Sequence, residues 1–157
     1  MVNKTETVGQ IHLRLEDMMP LIRESLQKGQ SVRFLPKGTS MLPMLRQGLD
    51  SVVLSPLPGA LKKYDLPLYQ RQNGQYVLHR IVRTGDTYSC IGDNQFDVET
   101  GLRQEQMIAV VTAFSRGGRE YSVTDFRYQL YCRIWHHSRK LRRIARRLRS
   151  WLRRFLR

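Results

Sequence analysis

The chain is short of cysteine, of long apolar runs and of linker-like low-complexity sequence, and its last thirty residues contain no acid. Each shortage excludes something. Cys90 and Cys132 are too few for a disulfide framework and lack metal-ligand spacing, so a reducing compartment is expected and structural zinc is not. His136 and His137 adjoin on a helical pattern, face different ways and have no acid or cysteine beside them, so no metal or other cofactor is expected. No stretch approaches the roughly 18 to 20 uncharged apolar residues of a membrane span. Charged residues interrupt the apolar positions of residues 1–30, so neither a signal peptide nor a transmembrane helix is expected, and the domain should stay in the cytoplasm.

What is present is 157 residues, 41% of them hydrophobic, which is enough for one core in a single compact domain. The formal net charge of +14 is unevenly placed. Residues 128–157 hold ten Arg and one Lys, whereas residues 1–127 carry 16 basic and 13 acidic groups. The basic character therefore belongs to a tail. The shift near Asp125 to Tyr128 divides a domain over 1–127 from a basic appendage over 128–157.

Along the domain, Ile11, Leu15, Met18, Met19, Ile22 and Leu26 recur at helical spacing, predicting a helix over 11–28 that Gly29 stops and Pro20 threatens to divide. From Ser31 the texture changes to short apolar segments: 31–35, 51–54, 66–69, 76–82, 88–91 and 107–114. Turn signals separate them, of which Asn73-Gly74 is the strongest hairpin indicator. Six short strands without intervening helices predict a coiled antiparallel sheet or small barrel, not parallel βαβ units. Beyond Phe126 the helical period returns. Leu130, Ile134, Leu141, Ile144, Leu148, Trp151 and Phe155 form one stripe, with Arg and Lys elsewhere, predicting one long basic amphipathic helix.

The segment Lys37-Gly38-Thr39-Ser40-Met41-Leu42-Pro43 puts a serine on a loop between an apolar strand and a proline-fixed turn. A serine so placed is ordinarily a turn-former. Its company adds more. Ser40, Met41 and Pro43 match a Ser-Met-x-Pro box; Gly48-Leu49-Asp50 followed by an apolar strand, the strand ending in Leu78-His79-Arg80, and Gly92-Asp93-Asn94 follow in order. In these boxes, which span residues 36–114, the chain resembles the signal peptidase and LexA-like autoprotease clan. Histidine at the general-base position makes it most similar to the Ser-His signal peptidases of the endoplasmic reticulum and archaeal type.

The resemblance implies the mainly β fold of that clan and a serine endopeptidase in which Ser40 is the nucleophile and His79 the base. The swap of lysine for histidine is chemically reasonable, because an imidazole with an ordinary pKa near 6.5 is already largely neutral at pH 7. A histidine base needs a partner to hold its tautomer. Glu99 is the first candidate, at the spacing beyond the Gly-Asp-Asn box where the family has Asp; Asp93 is second and Asp97 third. Gly38 offers no hydroxyl to the oxyanion, so backbone N–H groups at Ser40 and nearby residues would hold it. Gly38 and Thr39 belong to the oxyanion loop, and Met41 and Pro43 lie either on the cleft floor or in the core.

The family's transmembrane tether is absent, and the basic tail is a candidate substitute: an apolar stripe beside eleven cations suits an anionic leaflet. The alternatives are a nucleic-acid arm, or a helix docking its stripe on the domain. Three functions stand open: a peptidase acting on a precursor or leader segment, a silent relative that binds an extended peptide, and a repressor-like module. The last would need an N-terminal helix-turn-helix, for which one short helix before Ser31 leaves little room.

Overall fold

A computed structural model describes residues 15–155, with side chains as far as Leu152. Helix α1 (Leu15–Gln27) is followed by β1 (Val32–Phe34), β2 (Ser51–Ser55), β3 (Pro67–Gln70), β4 (Tyr76–Leu78), β5 (Arg80–Arg83), β6 (Tyr88–Ile91) and β7 (Glu99–Leu102). A 3-10 turn (Gln104–Gln106) leads into β8 (Met107–Arg116) and β9 (Arg119–Ser122), and the chain ends in α2 (Phe126–His137) and α3 (Arg139–Phe155). The protein is mainly β, with antiparallel sheets, an N-terminal helix and two C-terminal helices. The expected helical start at Ile11 to Arg14 lies outside the described residues, as does the side chain of Phe155.

The strands form two antiparallel sheets. One has the order β1-β2-β8-β3-β4, with β9 also pairing to β8; the other has the order β5-β6-β7. Strand β8 is the spine, and its ten residues contribute to both faces, with register shifts against β2 and β3 that change which face a residue meets. Ala109, Val111 and Phe114 join a cluster with Met19, Ile22 and Leu26 of α1; Met107 and Val110 join a second cluster with Tyr69, Ile81 and Cys90, under the smaller sheet. The core expected as one body is thus two, one on each face of the larger sheet. The β3–β4 hairpin turns at Asn73-Gly74 as predicted, with Gly74 at φ 86° and the Asn73 side chain accepting from the Gln75 N–H.

Four sequence expectations are corrected. The run 76–82 is not one strand: it leaves the larger sheet after Leu78 and enters the smaller at Arg80, so that His79 occupies the seam. Strands β7 and β9 carry too few apolar residues to register as strands, and their pairing with β6 and β8 overrides weak propensity. Pro20 lies exposed within α1 without ending it. The single basic helix is two helices that meet at Ser138. The first of them is no appendage, because Tyr128 and Cys132 are buried in the same cluster as α1.

Candidate functional site

The loop 35–50 joins β1 to β2 and carries the serine box. Gly38 takes φ 93°, a conformation that strains other residues, and its N–H donates to the Gln47 side chain at 3.1 Å. Gly38 is therefore a turn residue whose N–H is already used. Thr39 is exposed, and its carbonyl accepts from the Leu42 N–H and from Asn94 Nδ2. Met41 is buried in the core and also lines the cleft, so packing and cleft floor are both its roles. Pro43, joined to Leu42 by a cis peptide bond, lines an adjoining groove with Leu42 and not the cleft itself. The far end of the loop is anchored by Asp50, whose buried carboxylate accepts from the Arg46 backbone and guanidinium and from the Gly117 N–H.

Ser40 is held in place by the Gly-Asp-Asn box. Its carbonyl accepts from the Asn94 N–H at 2.8 Å. A Cβ on Gly92 would stand 2.7 Å from that carbonyl oxygen and 3.0 Å from the Ser40 Cβ, so only glycine admits this approach. The Ser40 hydroxyl has no hydrogen-bond partner among the described residues. Ser40 and His79 line one cleft of about 390 Å³, together with Gly38, Thr39, Met41 and Arg71.

His79 is nearly fully buried. Its Nδ1 lies 3.3 Å from the Tyr69 hydroxyl, and that hydroxyl donates to Glu99 Oε2 at 2.7 Å. With the tyrosine proton committed to Glu99, the hydroxyl is left to accept from Nδ1–H, which assigns the tautomer that has Nε2 free as an acceptor. Glu99 is in turn gripped by Arg71, whose Nη2 and Nε both donate to it. Burial pushes the Glu99 pKa up, but the hydrogen bonds from Arg71 and Tyr69 outweigh it and hold the carboxyl below its usual value. The first-ranked acid thus reaches His79 through Tyr69, not directly.

The second-ranked acid has other work. Asp93 forms a two-pronged ion pair with Arg80, both side chains 2% exposed, and also accepts from the Tyr131 hydroxyl of α2. Arg80 extends the tie by donating to the Tyr128 hydroxyl and the Tyr64 carbonyl. Asp93 therefore fastens α2 to the box and does not orient His79. Asp97 is exposed and lines a groove beside Glu99, without a hydrogen bond to His79.

Burial, reinforced by the Arg71 charge and opposed by Glu99 and Asp93, lowers the His79 pKa to about 4. The imidazole is thus neutral well below pH 7, which corrects the expectation of an ordinary pKa near 6.5. Residues that sequence reasoning missed are Tyr69 and Arg71. A tyrosine in a fully buried strand must find a partner for its hydroxyl, and that was the one available signal for Tyr69. Comparison of the chain with family models, curated proteins and solved structures found no match.

Proposed function

We propose that the protein is a serine endopeptidase in which Ser40 attacks a peptide carbonyl and His79 is the general base. The observation that carries this reading is the relay Glu99 to Tyr69 to His79, which leaves His79 Nε2 as a proton acceptor in the residue that shares the cleft with Ser40. Nε2 takes the Ser40 proton as Oγ bonds to the carbonyl carbon. The resulting imidazolium is stabilised by Glu99 and then gives the proton to the leaving amine, releasing one peptide and leaving an acyl-Ser40 ester. Water, deprotonated by the same nitrogen, hydrolyses that ester.

The backbone N–H groups of Ser40 and Met41 have no acceptor among the described residues and are the donors proposed for the oxyanion. One such donor is worth roughly 3 kcal/mol in the transition state. The low basicity of His79 makes proton abstraction harder, and the carboxylate beyond Tyr69 offsets part of that as positive charge develops on the ring. The signal-peptidase-like specificity implied by the boxes is a small residue before the scissile bond.

The reading is tested by incubating the purified chain with a diverse peptide pool and identifying new termini by mass spectrometry. Cleavage after a recurrent small residue, lost in both Ser40→Ala and His79→Ala, is expected. A pool bound but left intact by the wild type would identify a silent peptide-binding relative instead, and cleavage that survives Ser40→Ala would overturn the assignment of the nucleophile.

A further inference from the structure

Helix α3 has two faces with different partners. Residues 139–152 include seven cations and no acid. Arg142 donates to the carbonyls of Asp93 and Trp135 and stacks on the Trp135 ring at 3.7 Å; Arg146 donates to Asn94 Oδ1 at 2.8 Å and lies over Phe96 at 4.6 Å. These two residues, one turn apart, clamp the helix onto the Gly-Asp-Asn box and fix its rotation. At about 100° per residue, the row Leu141, Ile144, Leu148, Trp151 and Leu152 is centred roughly 140° away from the clamped row, and so points off the domain.

The exposures agree: 71% for Leu141, 62% for Ile144, 55% for Leu148 and 53% for Trp151. Leu141, Ile144 and Leu148 are thus not docked on the described part of the domain. Arg143 and Arg147 lie exposed along one margin of it and Arg149 along the other.

We infer that α3 is a surface-seeking helix whose occupant is an anionic lipid bilayer, lying in the plane of the membrane with its stripe in the acyl boundary and its arginines among the headgroups. Charge complementarity selects this partner. The stripe needs an apolar medium and both flanks need anions, and a leaflet of anionic lipid supplies the two side by side. A nucleic acid would satisfy the arginines but leave the large apolar side chains in water. The helix cannot instead cross the bilayer, since no described helix is long and apolar enough. The inference stands apart from the peptidase reading, because it uses no property of Ser40 or His79.

The test uses the full chain and vesicles of phosphatidylcholine alone or with about 30% phosphatidylglycerol. Cosedimentation is expected at least about tenfold stronger on the anionic vesicles, weakening with salt, with a blue shift of tryptophan emission that Trp151→Phe removes. Ile144→Ser with Leu148→Ser leaves the charge unchanged at two exposed positions and is expected to weaken vesicle binding at least about tenfold at unchanged thermal stability. Binding to anionic vesicles that is indifferent to the stripe substitution would overturn the inference. So would absence of vesicle binding accompanied by tight, salt-sensitive binding of a duplex oligonucleotide.

Discussion

The chemistry of the site depends on a phenol standing between a carboxylate and an imidazole. In the proposed reaction Tyr69 passes the influence of Glu99 to His79, as a positioning residue whose hydroxyl, not its ring, matters. Tyr69→Phe keeps the buried ring and is predicted to lower kcat on the order of a hundredfold with little change in KM, as measured on the cleaved peptide. Glu99→Gln removes a charge that raises the His79 pKa and leaves the Arg71 charge that lowers it, so the acidic limb of the pH profile should move below its wild-type position near 4. A purely structural Glu99 would leave that limb in place. Gly92 acts through space alone. Gly92→Ala must push the Ser40 backbone by several tenths of an ångström, and a loss of activity of about tenfold or more is predicted while the fold is retained, checked by peptide turnover beside circular dichroism.

At the scale of elements, the site is assembled by α2 as much as by the sheets. The Arg80–Asp93 pair, the Tyr131 hydroxyl and the Trp135 Nε1–H donating to the Asp93 carbonyl bind α2 to the box that clamps Ser40. Removing one partner leaves a buried guanidinium uncompensated. Asp93→Asn is therefore predicted to destabilise the protein by about 3 to 5 kcal/mol in urea unfolding, far more than Asp97→Asn at its exposed site. That contrast separates a structural acid from a surface one among the three candidates that the sequence ranked Glu99, Asp93 and Asp97. Alternation and turn chemistry made the predicted strands and the Asn73-Gly74 hairpin legible. They did not reveal the switch of sheets at His79, because residues 76–82 read as one short β-prone run with no turn residue to mark where the backbone changes partners. The tail was misread for a similar reason: arginine content marked a boundary, but Tyr128 and Cys132 inside it are core residues of the domain.

For the whole molecule, acid stability follows from the same histidine. The folded pKa of about 4 lies below the unfolded value near 6.5, so between those pH values the unfolded chain holds a proton that the native state does not. Stability from neutral His79 is fully present above pH 6.5 and is lost as pH falls toward 4, by about 2 to 3 kcal/mol at roughly pH 4.5. His79→Gln should abolish that slope in denaturant unfolding carried out across the window. Asp50 contributes lower down: the Arg46 hydrogen bond holds its pKa to about 2, and its share disappears only as pH falls from about 4 toward that value. The serine box, the histidine and Glu99 could be proposed from the sequence because they stand in motifs that follow one another in order along it. Tyr69 and Arg71 could not, because what brings them to the candidate site is the folding of β3 and β7 against the seam, which no local pattern records.

The most direct test of an activated Ser40 is covalent labelling of the intact protein by a serine-reactive phosphonate across about pH 3.5 to 8. The account predicts labelling that rises through about pH 4 with the deprotonation of His79, stays level to pH 8, and disappears in Ser40→Ala and His79→Ala. Absence of labelling in the wild type, or labelling that persists without His79, would contradict it.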